Sequence, residues 1–231
     1  MSKFRIRFTK GPEVRFVSHL DTMKMLERAI RRASLPIAFS EGFNPHPKIA
    51  LGSALAVGVT STAEYADLEF RQDLNAEELM NRLNQALPRG YQVSEAKELR
   101  GKTDALMAVL NRATYQITVQ TKLPINQQEL SQAIGRVLDK TSIVVTRDTK
   151  RGPKDTDIRP GIFQLEGQVG EQKSIELNIL VETGSSGNIR PEEVVKALEF
   201  IGGLEFESGL LINRTGLYVY RESELLSPMD C

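Results

Sequence analysis

Two side chains able to move a proton near neutral pH stand close together in this chain. They are its two histidines, His19 and His46, both within the first fifty of 231 residues. Histidine titrates near neutrality and serves as a general acid or base. Two such rings flanking one phosphate could process RNA without a metal. His46 lies in "SEGFNPHPK", between Pro45 and Pro47, with Ser40, Glu41, Phe43, Asn44 and Lys48 around it. Gly42 permits unusual backbone angles, the prolines fix theirs, and Asn44 before Pro45 is biased towards extended chain. A loop pinned in advance loses less entropy when a ligand arrives. Turn chemistry alone accounts for glycine, asparagine and proline. It does not account for serine, glutamate, histidine and lysine gathered with them, so the stretch reads as the rim of a binding site.

A second constellation precedes that loop. Lys24, Arg28 and Arg31 recur at helical spacing and share one stripe. Like charges on one stripe repel, and a polyanion would neutralise them. Arg15, Ser18 and His19 stand just before this stripe, where a helix start would favour anions. The whole chain has net charge +0, yet residues 1–50 hold ten Lys and Arg against four Asp and Glu. Residues 192–231 hold three basic residues against eight acidic ones. This asymmetry points to a basic face that meets an anion, with a solvated charged face as the plain alternative.

A third set lies in "TRDTKRGPKDTDIRPGI", residues 146–162, read as a flexible loop between strands. Lys154, Asp157 and Arg159 are its candidate ligand contacts. Asp157 and Arg159 are placed either to orient a polar ligand or to pair with each other. No cofactor is expected, because no nucleotide-binding or hydrolase motif occurs. No metal site is expected either. The one cysteine, Cys231, cannot build a cysteine metal site by itself, and beside the two histidines only carboxylates would complete one.

These residues need elements to position them. "KFRIRFTK" alternates apolar and polar residues as a half-buried strand does, and "VRFVS" reads as its extension. Ser18 with Asp21 caps a helix whose apolar face is Leu20, Met23, Leu26, Ile30 and Ala33. Pro36 stops that helix, and "PIAFS" reads as a short strand. "KIALGSAL" is extended, "EYADLEFRQ" is a strand, Asn75 with Glu78 opens a second helix, and "YQVSEAKEL" is a strand. The order β-α-β-β-α-β is that of a split βαβ, ferredoxin-like unit. The second half repeats the order, with strands at "TYQITVQTK", "SIVVTRDTK" and "SIELNILVET" and helices at "INQQELSQAIGRVL" and "PEEVVKALEFIG". The expected class is therefore α+β, as two tandem ferredoxin-like halves with antiparallel sheets. Their expected bounds are residues 1–98 and 113–231, joined by a linker at 99–112.

Composition excludes other classes. Hydrophobic residues at 40% and charged residues at 26% suit a globular chain. The single cysteine cannot form a disulfide within the chain, which fits a reducing compartment. No apolar run approaches the ~20 residues of a membrane helix, and the start lacks a signal-peptide core. The expected setting is cytoplasmic, with no membrane partner.

The pieces "SHLD", "SEGFNPHPKI" and "DIRP", with the stretch from Arg5 to Phe70, resemble a bacterial family called radical SAM-linked or radical SAM-associated proteins, of unknown function. The resemblance implies a gene beside, or fused to, a radical SAM protein of the cobalamin-binding type. It implies an accessory role, because this chain lacks the cysteine triad of a radical SAM cluster. With the basic helix and the Ser40–Lys48 loop, the expected substrate to be presented is RNA, tRNA or rRNA, or another anionic substrate. The alternatives are a structural partner subunit without RNA binding, and a metal-free enzyme using His19 and His46. The short stretch "GKTDA" is similar to the aspartate-bearing core of a tRNA pseudouridine synthase family. Lys102 stands there in place of arginine, and Leu106 and Met107 in place of Gly-Val, so no catalytic role is assigned to it.

Overall fold

The computed structural model describes residues 2–101, 103–185 and 187–231. Lys102 of the "GKTDA" stretch lies outside them. In chain order the elements are β1 (Ser2–Lys10), α1 (His19–Arg32), β2 (Ile49–Leu51), β3 (Thr60–Phe70), α2 (Ala76–Ala86), β4 (Tyr91–Glu98) and α3 (Leu106–Val109). They continue as β5 (Arg112–Gln120), α4 (Gln127–Leu138), β6 (Val144–Thr149), β7 (Gly152–Asp157), β8 (Ile162–Val169), β9 (Ser174–Glu182), α5 (Pro191–Phe200), β10 (Leu211–Arg221) and β11 (Glu224–Leu226). The class is mixed α+β, with antiparallel strand pairs and few helices. The chain forms two compact units. One comprises residues 1–111 with 214–231, and the other residues 112–213.

In the first unit the strands lie in the order β4-β1-β3-β10, with β2 against β3 and β11 against β10. The alternation in β1 decides which face is apolar. Phe4, Ile6 and Phe8 are buried together with Leu26 and Ile30 of α1, Leu79 and Leu83 of α2, and Leu68 and Phe70 of β3. Phe4 and Phe70 meet edge to face at 6.1 Å, the arrangement that aromatic quadrupoles favour. Ser18 caps α1 by accepting the Asp21 N–H, and Asn75 caps α2 by accepting that of Glu78.

Three sequence readings need correction here. "VRFVS" does not extend β1, because a 3-10 turn at Pro12–Val14 breaks off from it, and Pro12 has no N–H for a ladder. "PIAFS" is no strand. Only single bridges form, Ile37 with Phe70 and Phe39 with Pro47, since prolines interrupt both sides. Leu20 does not face the core but is exposed, while Thr22 turns inward, 3.1 Å from the Tyr91 hydroxyl.

The second unit places β5, β9 and β8 side by side, with Ile117 opposite Leu177 and Leu165 opposite Ile179. Leu130, Ala133 and Val137 of α4 and Val194 and Leu198 of α5 supply the buried helix residues. Asn126 and Glu129 complete a reciprocal capping box at the start of α4. Residues 146–162, expected as a flexible loop, instead carry most of a β-hairpin. β6 pairs with β7 from Val144–Asp157 to Thr149–Gly152. Gly152, at φ +103°, supplies a backbone angle that other residues rarely adopt. β6 lies within the strand expected at "SIVVTRDTK", while charged residues and Pro153 hide the period-two pattern of β7.

Candidate functional site

In the first unit α1 ends beside the segment that leads into β2, and a groove of about 760 Å³ runs between them. Its floor includes Ile30, Ile37, Phe39 and Ile49. Its rim includes Lys24, Arg28, Arg31 and Arg71, with Glu27 as the acidic residue of the lining. Helical spacing puts Lys24, Arg28 and Arg31 together, as their sequence positions predict. Arg32 is directed elsewhere and donates to the Ala86 carbonyl of α2 at 2.6 Å. Arg71 follows β3, where its N–H donates to the Pro36 carbonyl at 2.9 Å. Its guanidinium carbon lies 5.5 Å from the centre of the Phe39 ring, within cation–π reach. Lys24 comes within 3.9 Å of Asp21, both exposed, which is worth little. Arg28, Arg31 and Arg71 have no carboxylate partner among the described residues.

The loop from Ser40 to Lys48 leaves from this groove and returns to it. Ser40 N–H donates to the His46 carbonyl at 2.8 Å, and His46 N–H donates to Ser40 Oγ at 3.0 Å. Ala38 N–H and Glu69 N–H tie its ends to β3 and to Lys48. Gly42 has φ +115°, and Glu41, Phe43, Asn44 and His46 are exposed. Phe43 is wholly so. Lys48 donates to Glu69 at 2.8 Å, and that hydrogen bond holds its ammonium above the ordinary range.

His19 is positioned differently. It lines a small cavity of about 10 Å³ with Lys10, Thr22 and Glu64, room for about one water. Lys10 donates to the carbonyls of Arg15 and Val17, at 3.1 and 2.7 Å. Burial pushes its amine below the ordinary range, against the attraction of Glu64 and with the repulsion of Arg214. Among the described residues, no hydrogen bond and no common cavity joins the His19 and His46 rings. Arg15 stacks on the exposed Phe16 at 4.7 Å, and Ser18 is occupied as the α1 cap.

Lys154, Asp157 and Arg159 belong to the second unit. Asp157 accepts the N–H groups of Ile143 and Arg159, at 2.8 and 3.0 Å. These bonds, that of Ile143 first, hold its carboxyl below the usual range. The Arg159 guanidinium donates to the carbonyls of Leu138 and Ile162. Both side chains thus serve local backbone groups, and Lys154 is exposed on β7. Two groove residues, Arg71 and Phe39, escape a reading of the sequence. Each sits at the end of an apolar segment, and neither spacing nor charge clustering marks it.

No curated protein matches the chain. Among solved structures it is similar to the crystal structure of a Cbf5-Nop10-Gar1 complex, at 12% identity and a TM-score of 0.49, over 96% of this chain and 50% of that one. It is also similar to the archaeal box H/ACA sRNP Nop10-Cbf5 complex, at 10% identity and a TM-score of 0.44, over 92% of this chain and 46% of that one. The chain spans about half the length of these solved chains. Residues 3–191 match the family described as "Uncharacterized protein conserved in bacteria (DUF2344)", and the chain belongs to that family.

Proposed function

We propose that this protein binds RNA through the basic groove of its first unit, as an accessory to a radical SAM protein. The observation that carries the reading is the groove itself, where Lys24, Arg28, Arg31 and Arg71 stand over an apolar floor. Arg28, Arg31 and Arg71 lack carboxylate partners among the described residues; such clustered cations cost stability through repulsion, and a chain of phosphates relieves it. The Ser40–Lys48 loop, with Phe43, Asn44 and His46 exposed, extends the surface beside the groove. The radical SAM connection is supported by the sequence motifs "SHLD" and "SEGFNPHPKI". The first unit is read as ferredoxin-like, because the order β4-β1-β3-β2 is that of a split βαβ sheet.

Filter binding of total bacterial RNA across a salt series tests this reading. Each phosphate contact to a single strand contributes a slope of about −0.7 in log K against log salt. Arg28→Ala with Arg31→Ala should lower affinity and flatten the slope by about 1.4. Binding no tighter than to an inert polyanion, unchanged in the double variant, rejects it.

A second reading is favoured by Phe16, Leu20 and Val57, which the first unit leaves exposed. These would dock a protein partner rather than RNA. Co-purification with the radical SAM protein, abolished by Leu20→Lys while RNA binding persists, would support docking as a separate role.

A further inference from the structure

Resting on the RNA-binding reading, we infer that the groove takes an unpaired strand and seats a base on its floor. A basic rim alone would suit any polyanion, duplex included. The floor separates the possibilities. Ile37, Phe39 and Ile49 present apolar surface below the cations, and Phe39 remains 40% exposed. A duplex offers a protein its phosphates, sugars and base edges, so it would leave this floor uncovered. An unstacked base offers a flat apolar face, and proteins that hold single strands place aromatic rings beneath such faces.

Two details sharpen the match. The Arg71 guanidinium lies over the Phe39 ring at 5.5 Å, so one aromatic surface and one planar cation lie together in the groove. Guanidinium planes and aromatic rings are the two surfaces on which unpaired bases stack. Lys24, Arg28 and Arg31 span seven residues of α1, about 10 Å along the helix axis. That length covers about three phosphate-to-phosphate steps at the ~3.4 Å spacing of one stacked strand. The site therefore fits a short run of one strand, with phosphates along α1 and a base turned towards Phe39. A chain of carboxylates such as polyglutamate would satisfy the cations but supplies no aromatic face to stack on Phe39 and Arg71.

Fluorescence anisotropy with a labelled 12-nucleotide RNA, single-stranded or annealed to its complement, tests this. The single strand should bind at least ten-fold more tightly than the duplex. Phe39→Leu, which keeps the apolar volume but removes the ring, should weaken the single strand roughly ten-fold, a typical loss for one stacked base. Its salt slope should stay that of the wild type, because no phosphate contact is lost. Thermal unfolding of Phe39→Leu at the wild-type temperature confirms that the loss is local. Equal affinity for strand and duplex, with Phe39→Leu neutral, overturns the base seat and leaves RNA binding standing. Failure to bind either RNA overturns the RNA reading itself, as does tighter binding to polyglutamate or to anionic lipid vesicles.

Discussion

Arg214 and Glu64 lie 150 residues apart in the chain and form a two-pronged ion pair in the first unit, with Nε and Nη2 of Arg214 donating to Glu64 Oε1 at 2.8 and 2.6 Å. Arg214 is wholly buried, and its remaining donors reach the carbonyls of Ser53 and Ala54. The pair ties β10 to β3, and the two carbonyls tie the segment before β3 to the same guanidinium. Its charges are compensated locally, which is the condition on which a buried ion pair is tolerated.

That arrangement sets a first prediction. Glu64→Gln leaves the guanidinium buried without its counter-charge and should cost about 3–5 kcal/mol. Arg214→Met strands the carboxylate and should cost a similar amount. Glu64→Leu with Arg214→Met removes both charges and should cost much less than the two single changes together. Urea unfolding of the four proteins measures the coupling. Additive costs would mean that the two residues act separately.

Ser40 and His46 close the exposed loop with two hydrogen bonds, one of them to the serine hydroxyl. Ser40→Ala removes that acceptor. An exposed bond of this kind contributes about 0.5–1.5 kcal/mol locally, so global stability should hardly move. Hydrogen exchange at the His46 amide should accelerate several-fold, with amides of β1 and β3 unchanged. Unchanged protection at His46 would show that the prolines alone fix the loop.

Asp157 carries a pH prediction. Its carboxylate accepts the Ile143 and Arg159 N–H groups, which hold its pKa below the usual 3.8. A depressed carboxyl stabilises the folded state above the unfolded value, and this contribution is lost as pH falls through the folded value. Asp157→Asn keeps an acceptor oxygen but removes the titration. The wild type should therefore melt above the variant at pH 7, and the gap should narrow below about pH 4. Melting curves from pH 2 to 7 decide it, and a gap constant across that range refutes the assignment.

How far the sequence carried these conclusions depended on the kind of signal. Alternation in "KFRIRFTK", the caps at Ser18, Asn75 and Asn126, and the stripe of Lys24, Arg28 and Arg31 are local patterns, and each reappears in space. The groove needs contacts that no local pattern encodes. Arg71 reaches Phe39 because Pro36 and Arg71 are hydrogen-bonded across thirty-five residues of chain. β6 was legible within "SIVVTRDTK", but its partner β7 was hidden for the opposite reason, since Pro153, Lys154, Asp155 and Asp157 give it no apolar face to recognise. His19 and His46 looked like a pair by their scarcity, but rarity in composition says nothing of direction. One ring lines the Lys10 cavity and the other belongs to an exposed loop.

Lys10 provides the last prediction. Its side chain is 2% exposed, and its ammonium is held by two backbone carbonyls with Glu64, His19 and Thr22 lining the adjoining cavity. Burial lowers its pKa below 10.5, opposed by Glu64 and assisted by Arg214. The unfolded chain then binds more protons than the folded one between the folded value and 10.5, so this residue raises stability as pH climbs through that window. Tyr65 and Tyr91 act in the other direction, because burial raises their pKa above 10.0 and their contribution falls only beyond that value. The two effects overlap only above about pH 10 and have opposite signs there. Lys10→Met removes the first and keeps the second, at the expense of leaving the Arg15 and Val17 carbonyls without a donor. Wild type should gain stability relative to Lys10→Met as pH climbs towards 10.5, measured by urea unfolding at fixed ionic strength. Parallel curves over that range would mean that the Lys10 amine is not depressed at all.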